Sequence, residues 1–376
     1  MNAKVLKNLA MPIALVAIAT FFAIKEPAFL GPRNLTQLIV EFSITGTLAL
    51  GMFMILLTGQ IDLSVGSGVG LIGGIAAVLV FQHNWSAPAA MGAAFVAALL
   101  LWTAMGTLIV RQRIPSFIIT LGGLLIFKGL FWLVIQNSTI PVSRGDQENL
   151  YSRLTTYYLP ASIGFALAAF IAIALGFLTL RGRAARTAHQ LANPSAGATL
   201  AKWLAMAAAA LGLVYFFNHF RGVPLSLLVL AGTAGVVYFL TQHTPFGRYL
   251  YAIGGNEEAA VLSGIAVNRV LVGAYVLMGV TVALTGFMTT AYSGASTTTV
   301  GDLMELDAIA ACVIGGTALK GGRGSVWGVI FGALIMTALL NGMTLLAVAP
   351  EIKFIARGGV LTLAVWMDVR LGSNKR

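Results

Sequence analysis

Ala90–Val110 reads AMGAAFVAALLLWTAMGTLIV, twenty-one residues with no charged side chain. As a helix such a run is long enough to cross a hydrocarbon core of roughly 30 Å. Ala161–Leu180 and Val326–Leu346 are built the same way, and comparable glycine-rich apolar stretches run almost from end to end. With 58% hydrophobic and only 9% charged residues, the 376-residue chain has the composition of a polytopic membrane protein. The expected fold is all-α, a transmembrane helical bundle of about 12 spans. They are placed at about 9–24, 37–57, 63–81, 89–110, 115–135, 161–180, 200–217, 224–240, 268–291, 306–319, 325–347 and 354–368. The stretch 306–319 is short for a full crossing. A half-span is tolerated only where protein or a water-filled cavity surrounds its ends.

The spans use up the length. The chain reads as a single transmembrane domain, 1–376, with no block polar enough to fold separately, and so without its own nucleotide-binding domain. Alternating the spans from a cytoplasmic N-terminus puts fifteen Lys and Arg inside, including Arg181, Arg183, Arg186 and Arg370. Seven fall outside, among them Arg33, Arg221, Lys353 and Arg357. This is the bias of the positive-inside rule, so the net charge of +11 reports topology rather than nucleic-acid binding. An even number of spans leaves both termini in the cytoplasm. Lys4 and Lys7 ahead of the run Leu9–Ile24 resemble a signal peptide, but no small-x-small cleavage site follows, which favours an uncleaved first helix.

Gly66, Gly70 and Gly74 lie four apart on one helical stripe, and Gly324, Gly328 and Gly332 repeat the spacing. Small residues at this interval let helix backbones approach closely where lipid offers no hydrophobic drive to associate. The two stripes, one preceded by Asp62 and the other by the Glu305–Asp307 pair, hint at an internal repeat. In the polar segment 241–268, Asn256 is a good N-cap, Glu257 and Glu258 suit a first helical turn, and Gly264 is a natural stop. The helix so predicted, about two turns through Ala259, Ala260, Val261, Leu262 and Ser263 to Ile265, is too short to stand alone. Either its own spans or a partner must hold it.

Signatures of catalysis are lacking. Gly68-Val69-Gly70-Leu71-Ile72-Gly73 satisfies the dinucleotide pattern by letter but sits inside an apolar span with no strand before it. No phosphate-binding Gly-x-x-x-x-Gly-Lys-Ser/Thr loop occurs, and the four histidines have no metal-ligand spacing. The lone Cys312 forms no internal disulfide. No metal or cofactor is expected in this chain. Intramembrane polar groups are the remaining candidates for a translocation path. Glu41 and Lys128 read either as a relay or as side chains snorkelling to an interface. Asn341 reads either as a pathway group or as a helix–helix hydrogen bond.

Three motifs together resemble a known family. They are Ile61-Asp62-Leu63-Ser64-Val65-Gly66-Ser67, then Phe246-Gly247-Arg248 through Ser263-Gly264-Ile265, and finally the stretch from Glu305-Leu306-Asp307 through Gly315-Gly316-Thr317. The chain is similar over nearly its whole length to the membrane permeases of bacterial ABC importers for monosaccharides, the ribose, galactose and xylose group. Within the group it most resembles xylose-type members, at Ile109–Thr120, at Tyr158–Ser162 and in the region 161–217 with Arg181-Gly182-Arg183. Ribose-type members resemble a version without that helix pair. The resemblance implies an inner-membrane, non-enzymatic subunit that imports a monosaccharide, xylose first among them, by alternating access. It implies three partners: a cytoplasmic ABC ATPase that binds ATP and Mg, a periplasmic sugar-binding protein and a second permease copy. It also places Asn256–Ile265 where the family's ATPase-coupling helix lies. Lys320-Gly321-Gly322-Arg323-Gly324 is more basic than the family pattern. The competing expectation is a proton-coupled secondary sugar transporter using Glu41 or Lys128.

Overall fold

The computed structural model describes residues 3–145, 148–193 and 195–373. Fifteen α-helices run through them, and regular strand is confined to four two-residue fragments. Helix α1 (Ala3–Lys25) leads through a short 3-10 turn to α2 (Pro32–Leu57), which starts on a proline whose missing N–H costs nothing at that position. Helices α3 (Val65–Phe81), α4 (Ala87–Gln112) and α5 (Ser116–Ile135) follow. Next come β1 (Ile140–Pro141), the short α6 (Leu150–Thr156) and β2 (Tyr158–Leu159). A hairpin of α7 (Ala161–Ala188) and α8 (Ala196–Asn218) leads to β3 (Val223–Pro224) and α9 (Leu225–His243). Two short helices, α10 (Pro245–Gly255) and α11 (Glu257–Leu262), precede α12 (Val267–Ser293). The chain closes with β4 (Ala295–Ser296), α13 (Met304–Ile314), α14 (Val326–Leu345) and α15 (Pro350–Ser373).

Among the described residues eight helices are long and apolar enough to span a membrane: α2, α4, α5, α7, α8, α9, α12 and α14. Two shorter apolar helices, Met11–Lys25 within α1 and α3, add to them. This is an all-α polytopic bundle, although length and apolarity alone do not reach the expected twelve. The stretch 306–319, read from sequence as short for a full crossing, is short in the structure as well. Its helix, α13, has 11 residues and spans about 16 Å at 1.5 Å per residue, half of a crossing. Most of it is buried among α2, α14 and α15, the setting in which interrupted backbone is tolerated at membrane depth.

Helices α2 and α12 form the centre. α2 packs against α9, α12, α13 and α14, while α12 also meets α3 and α4. Phe53, Leu56, Trp102 and Tyr275 are fully enclosed there. Since lipid is as apolar as these side chains, close packing rather than burial holds the helices together. A Cβ at Gly51, for example, would come within 2.7 Å of the Met278 sulfur on α12. Large apolar side chains such as Leu125, Leu133, Phe170 and Ile355 point outward, where a membrane accepts them. β1 pairs antiparallel with β4, and β2 with β3, tying chain segments far apart in sequence.

Both glycine stripes lie in tight contacts. The Gly70 and Gly74 positions press on Phe131 of α5, and Gly66 on Glu305 and the Gly301 carbonyl. Gly328 and Gly332 lie on α14 against the end of α13. Gly324 does not belong to that helix. It precedes the N-cap Ser325, whose hydroxyl accepts from the Gly328 amide at 3.1 Å. Arg357, expected among the outer charges, lies within α15 and pairs with Asp307 of α13 at 3.2 Å.

Candidate functional site

The segment 245–265 folds as its capping residues dictate. The Asn256 side chain accepts from the Ala259 amide at 2.9 Å, and Glu257 and Glu258 occupy the first turn of α11. At the other end Gly264 takes φ +79°. Its amide donates to Val261 O at 3.0 Å and that of Ile265 to Ala260 O at 3.1 Å, the paired bonds of a Schellman stop. Of six helical residues only Ala260 is buried. Leu262 is 89% exposed and Val261 55%, so the apolar side of this helix is bare while Ala260 anchors it.

Directly beside α11, three backbone segments meet with no side chain between them. A Cβ on Gly254, near the end of α10, would overlap the carbonyl oxygen of Leu57, the last residue of α2, and the backbone of the 318–323 turn. That turn reaches the same carbonyl, to which the Gly322 amide donates at 2.9 Å. Gly321 and Gly322 hold φ of +86° and +72°, values that L side chains rarely adopt. Tyr251 of α10 donates to Gly324 O at 3.1 Å, and partial burial keeps its phenol above its ordinary pKa, in the donor form. The exposed α11 is thereby tied to the end of the most enclosed span and to the start of α14. Sequence reading passed over this junction, although two distant Gly-Gly pairs, 254–255 at the end of α10 and 321–322 in a turn, were its signal.

Glu41 and Asn341 come together, 300 positions apart. Asn341 Nδ2 donates to Glu41 Oε2 at 3.2 Å, and Tyr292 Oη to Glu41 Oε1 at 2.7 Å. Gln37 Nε2 donates to Tyr292 Oη at 2.8 Å, and Asn34 Nδ2 to Asn341 Oδ1 at 2.9 Å. Asn341 and Asn34 are buried, whereas Gln37 and Tyr292 open to the surface. The network, contributed by α2, α12 and α14, thus runs from enclosed amides through a half-buried carboxylate to an exposed phenol and amide. Such a set suits a ligand rich in hydroxyl groups. Lys128 belongs elsewhere. It pairs with Asp302, donates to Thr298 O at 2.8 Å and lies 5.5 Å from the Trp132 ring, clasping the 294–303 segment to α5.

Asp62 is a buried acceptor at the foot of α3. Fully buried, it accepts from the Ser64 amide at 2.9 Å, the Ser64 hydroxyl at 2.6 Å and Trp102 Nε1 at 2.8 Å. Among the described residues no group of three or more His, Cys, Asp or Glu could hold a metal ion.

The comparisons with known proteins agree with this architecture. Residues 34–365 match the family described as branched-chain amino acid transport system / permease component. The xylose transport system permease protein XylH of Escherichia coli K12 is 40% identical over 369 residues, 96% of this chain and 92% of that protein. Its Haemophilus influenzae counterpart is 39% identical over 373 residues, 98% of each chain. The ribose import permease protein RbsC of Bacillus subtilis is 31% identical over 372 residues, 97% of this chain and 93% of that protein. No solved structure matches the chain. A match from 34 to 365, relatives aligned almost end to end and a bundle of apolar spans lead to one conclusion: the chain belongs to this family of transport-system permeases.

Proposed function

We propose that the chain is the membrane-spanning subunit of an ATP-driven sugar importer, with xylose as its first candidate substrate. It works by alternating access in the inner membrane with both termini in the cytoplasm. Its partners are an ABC ATPase, which carries ATP and Mg, a periplasmic sugar-binding protein and a second copy of the permease. The ATPase docks on Asn256–Ile265. The observation that carries the docking surface is the bare Leu262 on a helix tied through main-chain contacts to the end of α2. A conformational change needs contacts that differ between the two states, and a partner that seats Leu262 in only one of them supplies the bias. Along the path, Glu41, Tyr292 and Gln37 offer hydrogen bonds to passing sugar hydroxyls, and Asn341 holds the Glu41 carboxylate in place.

The test is co-purification from native membrane together with sugar uptake. L262D leaves the Ala260 anchor and both caps intact. Loss of the ATPase and of uptake, with the permease still inserted and thermally unchanged, is the expected result. Normal uptake by L262D would remove α11 from the docking surface. The proton-driven alternative gains no support: Lys128 is neutralised by Asp302, and Glu41 is hydrogen-bonded in a separate network.

A further inference from the structure

Residues 149–256 contain no Asp or Glu, yet carry Arg153, Arg181, Arg183, Arg186, Lys202, Arg221 and Arg248. Four of these cations gather at one end of the α7–α8 hairpin. α7 continues as helix eight residues beyond the apolar run that ends at Leu180, carrying Arg181, Arg183 and Arg186 with it. Lys202 stands on the facing part of α8, where it and Arg186 are exposed.

Between the two helices, at the same level, lies a groove of about 330 Å³. Leu180 and Ala196 line its apolar part, and Gly176 leaves room for the Trp203 indole, whose Nε1 donates to Ala172 O at 2.8 Å. Arg183 and Thr199 also line it, joined by a 3.0 Å hydrogen bond. Arg181 folds over Phe177, 5.0 Å from the ring, on a face of α7 that is otherwise apolar and exposed. An apolar slot that opens beneath a set of cations is complementary to one molecule in its surroundings, a phospholipid with a net negative headgroup. The acyl chain takes the slot and the phosphate takes the arginines.

We infer that the cytoplasmic end of the α7–α8 hairpin is a binding site for an anionic phospholipid. The acid-free sequence around it is what lets the local potential stay positive. Each cation near such a surface contributes about fivefold in affinity, so three together give a selectivity well above tenfold.

The experiment is native mass spectrometry of the delipidated full chain, titrated with phosphatidylglycerol or phosphatidylcholine. Wild type is expected to retain phosphatidylglycerol at least tenfold better. R181Q/R186Q/K202Q should lose that preference, while R33Q/R153Q/R221Q, which removes three cations elsewhere, should keep it. A196F, which fills the groove at unchanged charge, should weaken phosphatidylglycerol retention without altering thermal stability. Equal retention of the two lipids by wild type overturns the proposal. So does undiminished preference in the first variant, including a case in which that variant releases a protein partner instead.

Discussion

Two adjacent glycines have opposite prospects. A methyl on Gly254 would overlap Leu57 O, whereas one on Gly255 meets nothing within 4 Å. G254A is therefore expected to lose about 1–3 kcal/mol through overpacking, and G255A close to none. Thermal unfolding of the two variants in detergent checks the contrast, and equal stability would contradict the junction. Asp62 makes a second residue-scale case. Every acceptor position it uses faces a donor, so the amide of D62N must turn its own N–H groups toward Trp102 or Ser64. Leaving such a pair unsatisfied in a fully buried site costs about 1–3 kcal/mol. A fall in thermal stability with retained expression is the expected reading.

At the scale of elements, what was legible depended on how local the cause is. The caps of α11 were readable because Asn256, Glu257, Glu258 and Gly264 act within one turn of where they stand. The long spans were readable because lipid demands an unbroken apolar run. Glu41 and Asn341 stood out as polar groups within apolar spans, but nothing local showed that they meet each other and Tyr292. Their meeting depends on how α2, α12 and α14 are stacked, and no periodicity reports that. Ala260 shows the limit in miniature: its place in the capped helix was evident, but not that it faces inward while Leu262 is left bare. E41Q keeps an acceptor for Tyr292 but loses the one for Asn341, and is expected to lower sugar uptake severalfold with the permease still inserted. Uptake equal to wild type would remove Glu41 from the path.

For the whole molecule, topology is the property open to direct measurement. The proposed orientation places the α7–α8 turn at Gln190 inside and the α3–α4 turn at Asn84 outside. Cysteines introduced at these positions should react with a membrane-impermeant maleimide from opposite sides, Asn84 in intact cells and Gln190 only after permeabilisation. The native Cys312 is buried and donates to Ala49 O at 3.2 Å, so it should stay silent in both. Labelling of both introduced sites in intact cells would overturn the alternation of spans. The bundle as a whole was foreseen from composition, whereas the half-length of α13 could be settled only by the neighbours that enclose it.

The junction of Leu57, Gly254 and Gly322 has a mechanical consequence. Side chains in contact can change rotamer and absorb a small displacement, as a loose hinge takes up play. Main-chain atoms pressed on main-chain atoms have no such slack. On the docking proposed above, a push on α11 would pass through α10 to the foot of α2 by main-chain contacts, with no side-chain rotamer in between to absorb it.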